Sequence, residues 1–141
     1  VTHFKVDGRN GNAATAHGLA RDAQGNFWFD IDPGRRGLGK LDPKTGKITV
    51  YQTPADMTPV GGAVTIDVDG QGKVWASTPE GAVRFDPVTE KFTAYRSVTS
   101  KSPKGTVGTY GAAGDRDGKK SVTIWQELVF LREREGANHG R

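Results

Sequence analysis

Asp67-Val68-Asp69-Gly70-Gln71-Gly72 sets two carboxylates and a side-chain amide at alternate positions, the way a calcium-binding loop begins. Such a loop closes with a glutamate at its twelfth position, and Thr78 stands there. The segment therefore reads as a turn. Asp30-Ile31-Asp32 offers a second carboxylate pair, on one strand face or in a loop. Pro33-Gly34-Arg35-Arg36 follows, so a salt-linked surface loop is the expectation, with Asp30 kept as a ligand-contacting candidate. Ser100-Lys101-Ser102-Pro103-Lys104-Gly105-Thr106 contains Lys, Gly and Thr but not in the order that cradles phosphate, and no apolar strand leads into it. A Gly-x-Ser-x-Gly elbow and a glutamate pair for sugar chemistry are both missing. Zero cysteines exclude disulfides, thiol nucleophiles and cysteine-held metals. No metal-ligand set is evident.

The elements that must position these groups come from an internal repeat. Asp22-Ala23-Gln24-Gly25-Asn26-Phe27-Trp28 is answered 47 residues later by Asp69-Gly70-Gln71-Gly72-Lys73-Val74-Trp75. Leu41-Asp42-Pro43-Lys44-Thr45-Gly46-Lys47-Ile48-Thr49-Val50-Tyr51 is answered by Phe85-Asp86-Pro87-Val88-Thr89-Glu90-Lys91-Phe92-Thr93-Ala94-Tyr95. Short strands repeating every roughly 40–50 residues mark the blades of a β-propeller. The fold class is thus all-β, built of four-stranded antiparallel meanders.

Strands are expected near 17–21, 27–30, 37–41 and 48–52 in one blade, and near 64–68, 74–77, 82–85 and 92–96 in the next. Aspartate opens each turn between the first two strands, where its carboxylate can accept backbone N–H groups, and glycine closes it. Glu90 replaces Gly46 in the second blade, so that turn must close at a cost. Trp28 and Trp75 are read as packing between blades.

Partial copies flank the two complete ones. Phe4 precedes Tyr51 by 47 residues, so Thr2–Val6 resembles the outer strand of a further blade. Tyr110 through Gly118 aligns with His17 through Gly25, and Ser121 falls where a tryptophan is expected. Ile124, Trp125, Leu128 and Leu131 fit a helical stripe. The expected organisation is a partial propeller over 1–126, with blades near 13–53, 60–97 and a partial one at 107–126, then an irregular or helical tail over 127–141. A closed ring needs at least about 4 blades of roughly 45 residues. A chain of 141 residues falls short, so missing blades of the same protein or self-association must complete it.

Lys and Arg are scattered among Asp and Glu, so the net charge of +4 describes a solvated surface and no nucleic-acid partner. No apolar run approaches the roughly 18–20 residues of a membrane span, and no signal peptide is visible in this chain.

His17-Gly18-Leu19, Gly25-Asn26-Phe27-Trp28-Phe29 and Asp42-Pro43-Lys44-Thr45-Gly46-Lys47-Ile48-Thr49-Val50-Tyr51 together resemble the virginiamycin B lyase (streptogramin lyase) group of propellers. The resemblance spans 1–118 and is clear over 17–96. It implies a seven-bladed, periplasmic or secreted bacterial protein that opens cyclic depsipeptide antibiotics by elimination, assisted by Mg²⁺. His17 matches a blade-opening histidine of that pattern and is the catalytic candidate. Its counterparts are Val64 and Tyr110, the latter a ligand-contacting candidate. Where that family often has an acid, three places past the tryptophan, this chain has Ile31 and Thr78. Two other readings stay open: a non-catalytic ligand- or protein-binding propeller of an exported bacterial protein, and a metal-dependent lactone hydrolase like the gluconolactonases. His3 and His139 have no suggested partners.

Overall fold

A computed structural model describes residues 1–6, 16–31, 37–57, 65–78, 81–96, 111–115, 120–125 and 127–132. All regular structure among them is β-strand. Four strands, β1 (Leu19–Arg21), β2 (Phe27–Ile31), β3 (Gly37–Leu41) and β4 (Ile48–Gln52), pair in chain order as one antiparallel sheet. A second four-stranded sheet repeats this with β5 (Ile66–Val68), β6 (Val74–Thr78), β7 (Gly81–Asp86) and β8 (Lys91–Arg96). A third meander contains β9 (Gly111–Gly114), β10 (Lys120–Trp125) and β11 (Glu127–Arg132). These are two blades and three strands of another.

Period-two alternation gives each blade two distinct faces. In the first blade one face holds Ala20, Trp28, Asp30, Leu38 and Tyr51; the other holds Leu19, Phe27, Phe29 and Leu41. The Trp28 face packs on Ile66, Val74, Ala76, Val83, Phe85 and Phe92 of the second blade, forming the main core. Rings dominate it: Trp28 stacks on Tyr51 at 5.7 Å, and Phe85 lies 4.7 Å from Tyr51 and 4.6 Å from Phe92. The second blade's opposite face carries Trp75, Ala82 and Tyr95, with 5.4 Å between the Trp75 and Tyr95 rings.

The two indoles occupy matching surroundings, as the repeat requires. Both are 1% exposed. Trp28 Nε1 donates to Asp22 Oδ2 (2.9 Å) and Trp75 Nε1 to Asp69 Oδ2 (2.8 Å). The other oxygen of Asp22 accepts from the backbone N–H groups of Gln24 and Asn26, and that of Asp69 from Gln71 and Lys73. One aspartate thus ties the turn and satisfies a buried indole, which explains why the two residues recur together. Burial alone would discourage ionisation of Asp22, but the Asn26 side chain and the Trp28 indole outweigh it and keep the carboxyl below its ordinary range.

Three expectations need correction. The segment 120–132 is a hairpin, with Trp125 opposite Glu127 and Lys120 opposite Arg132, not a helix. Its Val, Thr, Ile and Phe content favours strand, and β9 supplies backbone partners along β10, so the apolar spacing of three and four was coincidental. The position of Trp28 falls to Val122, not Ser121. Gly114 pairs with Ser121 where Arg21 pairs with Phe27, so the paired positions stand one residue farther apart in the chain than in the first blade. Thr2–Val6 is not assigned as a strand, although Phe4 reaches the first blade: a Cβ added to Gly46 would lie 3.2 Å from Phe4 Cε1.

Candidate functional site

β1, β5 and β9 lie side by side. Their starting ends, together with the finishing ends of β2 and β6, form one rim of the assembly. At that rim β2 delivers Asp30, and the chain just ahead of β1 delivers His17 and Gly18. Asp30 is fully buried, and its Oδ1 accepts the backbone N–H groups of His17 (2.7 Å) and Gly18 (2.8 Å). It is therefore no part of a surface loop: the strand continues through it to Ile31, also fully buried. The remaining oxygen, Oδ2, is buried without a hydrogen-bond partner. A buried acceptor left unmatched costs on the order of 1–3 kcal/mol, more if it is charged.

The second blade performs the same task with a hydroxyl. Ser77 Oγ accepts from Thr65 N–H (3.2 Å), and Ser77 N–H donates to the Thr65 carbonyl (3.1 Å). The Ser77 hydroxyl also lies 3.5 Å from that carbonyl, as donor. Asp30 and Ser77 each sit two residues after their tryptophan and clamp the residue that enters the first strand. Trp-x-Asp and Trp-x-Ser were the sequence signals for this clamp, and both escaped the residue reading.

Close packing fixes the rim. A Cβ on Gly18 would lie 2.7 Å from Ile66 Cγ1 and 2.9 Å from Ile66 N, closer than real side chains approach. His17 is exposed, so its imidazole is available to a ligand, while its main chain is held by the carboxylate. Asp30 thus grips the backbone of His17 and not its ring. Of the other sequence candidates, Tyr110, Val64 and Asp32 lie outside the described residues, as does His139. His3 is exposed and far along the chain from the rim.

The Asp67–Gly72 segment is a turn with its carboxylates already engaged. Asp69 holds the two N–H groups and the indole named above, while Asp67 accepts from Val68 N–H and, through Oδ2, from Gly114 N–H at 2.7 Å. This second bond pins β9 to β5. Among the described residues no three His, Asp or Glu side chains gather as a metal site, and no helix is long and apolar enough to cross a membrane.

No protein-family model matches the chain, and no curated protein is similar to it. Solved structures are similar. A streptogramin B lyase structure superposes with a TM-score of 0.58 at 19% identity, over 83% of this chain and 40% of that one. The extracellular domain of a protein assigned as a one-component system in B. thetaiotaomicron gives a TM-score of 0.61 at 21% identity, over 87% of this chain and 17% of that one. A protein assigned to the gluconolactonases gives 0.51 at 17%, over 86% and 42%. At these identities the likeness establishes the fold: the chain is propeller-like and spans less than half of each of these structures.

Proposed function

We propose that this chain is a section of a streptogramin-lyase-like propeller of an exported bacterial protein, with the rim bearing His17 as the side that meets a small cyclic ligand. One observation carries this reading. A buried carboxylate is spent on fastening the main chain beneath an exposed imidazole, where the second blade manages with serine. Such anchoring fixes where the ring begins without taking away its proton-carrying nitrogens.

In the elimination, the His17 imidazole accepts the proton on the carbon next to a carbonyl. The freed electron pair becomes a carbon–carbon double bond, the adjacent C–O bond breaks, and the ester oxygen leaves as carboxylate. Mg²⁺ would stabilise the developing enolate charge when bound. The described residues do not make its site: no three His, Asp or Glu side chains gather among them, and the buried carboxylate oxygen left without a hydrogen-bond partner, Asp30 Oδ2, is closed to solvent.

The test is incubation of the full-length protein with a type B streptogramin, with and without Mg²⁺, reading the linear product by mass. Product that disappears in His17→Ala is the expected result. Hydrolysed ester in its place would indicate the lactone-hydrolase reading.

A second reading has its own support. Thr65 and Ser77 occupy the places of Gly18 and Asp30, so the acid is not repeated around the rim. A rim on which the acid is not repeated suits a propeller that binds without reacting. Ligand-dependent thermal shift with no product, unchanged by Mg²⁺, would establish it.

A further inference from the structure

The chain has a single methionine and no cysteine, so Met57 carries its only sulfur atom. It lies on the crossing from the first blade to the second. β4 ends at Gln52, which pairs with Gly37, itself opposite Ile31, so this crossing starts at the rim. Thr53 is buried, Pro54, Ala55 and Asp56 are exposed, and Met57 turns back to half-burial. Its N–H donates to the Pro54 carbonyl at 3.1 Å and closes the turn. The side chain packs against the main core, where Trp28 and Leu38 of one blade meet Ile66, Val74 and Phe85 of the other. An unbranched thioether suits such an edge, because it can follow an irregular gap between two sheets.

Half-burial has two chemical consequences. A small oxidant reaches the sulfur, and any polar atom added there must be accommodated against apolar side chains. No thiol competes for the oxidant, and Trp28 and Trp75 are only 1% exposed. We infer that Met57 is a reversible oxidation site, at which a peroxide converts the thioether to a sulfoxide and loosens the seam between the first two blades. A sulfur lone pair attacks one oxygen of hydrogen peroxide, the S–O bond forms as the O–O bond breaks, and the other oxygen leaves as water. Sulfur loses two electrons and the peroxide gains them. The indole N–H of Trp28 is already given to Asp22. An added oxygen without a buried donor turns to solvent and draws the side chain off the core. A sulfoxide reductase reverses the step, the oxygen leaving as water while a dithiol becomes a disulfide.

Hydrogen peroxide acting on the chain, read by peptide mass, should add one oxygen at Met57 without unfolding it, several-fold more slowly than in urea. Equal rates would mean that the thioether does not pack, and no reaction before unfolding would mean that no oxidant reaches it. Either result overturns the inference. The oxidised chain should unfold at lower urea, its unfolding constant raised about 5- to 30-fold. Hydrogen exchange of the β5 amides, at the seam, should quicken with it. Reductases for both sulfoxide epimers, with a dithiol, should restore both readings. Met57→Leu, which keeps the volume, should fold normally and show no peroxide-induced shift. An unchanged unfolding curve after oxidation would overturn the inference, as would a shift that the reductases do not reverse. So would an equal shift in Met57→Leu, which would place the damage on another residue. The reductase reversal is read on the unsubstituted chain, so it decides even where the leucine variant folds poorly.

Discussion

The two complete blades use the same frame and fill it differently, and the differences separate what the repeat demands from what it tolerates. Both need the aspartate–indole pair. Both need a polar side chain two residues beyond the indole, but it is carboxylate in one and hydroxyl in the other. In the first blade Phe29 lies over Gly39; in the second, Ala76 pairs with Val83. Bulk has moved from one strand to its neighbour while the layer stays filled. The turn before the last strand is closed by Gly46 at φ 73° in one and by Glu90 at φ 56° in the other.

Replacing either tryptophan probes the shared part. Trp28→Ala and Trp75→Ala should each cost about 3–5 kcal/mol in urea unfolding. A large loss for only one of them would mean that the blades do not contribute alike. Next in size is the exchange of bulk. A Cβ on Gly39 would fall 2.3 Å from the Phe29 ring, so Gly39→Val should destabilise by about 1–3 kcal/mol. Adding Phe29→Ala installs the second blade's pair in the first and should recover most of that loss, a coupling visible in a double-mutant cycle.

The clamp comes third. Asp30→Ala leaves two N–H groups without their acceptor and should cost about 1–3 kcal/mol. Asp30→Ser should be close to neutral in stability, since Ser77 already does this work. If the carboxylate serves only the backbone, Asp30→Ser will also leave ligand binding intact. Glu90→Gly should then gain about 1 kcal/mol by relieving the left-handed backbone, and the reverse change, Gly46→Glu, should lose a similar amount.

The smallest effect concerns charge. Lys73 bonds to Asp86 at 2.7 Å, and this contact, with burial opposing and the Val88 and Thr89 N–H groups helping, lowers the Asp86 carboxyl from 3.8 to about 2. Because the folded value lies below the unfolded one, the stabilisation is whole above pH 3.8 and fades as pH falls toward 2. Asp42, its counterpart, is lowered chiefly by the Lys44 N–H and has no such lysine bond. Lys73→Met should therefore flatten the acid limb of the unfolding curve by less than about 1 kcal/mol, as befits a pair near the surface.

Sequence reading reached the strands of the first two blades almost residue for residue, because turn chemistry punctuates them. Asp22–Gly25, Asp42–Gly46 and their repeats say where strands stop, and the tryptophan in each blade marks a face that is covered. The cost at Glu90 was visible for the same reason. What escaped detection depended on partners distant in sequence. Nothing in Asp30-Ile31-Asp32 reveals that Asp30 turns inward to meet His17 and Gly18, since an acid beside Pro-Gly-Arg-Arg is ordinarily at the surface. The hairpin at 120–132 was hidden similarly: its apolar spacing suits either period, and only pairing with β9 decides. Tyr110, a rim candidate from alignment, lies outside the described residues.

The glycines at the first strands have a geometric consequence. Gly18 lets β1 press against Ile66, and Gly114 lets β9 press against Asp69, with an added Cβ at only 2.7 Å in both cases. Farther from these strands the first two sheets are held apart by the rings of Tyr51, Phe85 and Phe92. Thin at one margin and thick at the other, the packing of the first two blades is a wedge. The angle of that wedge sets how many fit in a full circle, so the smallest side chains in the protein help to count its blades.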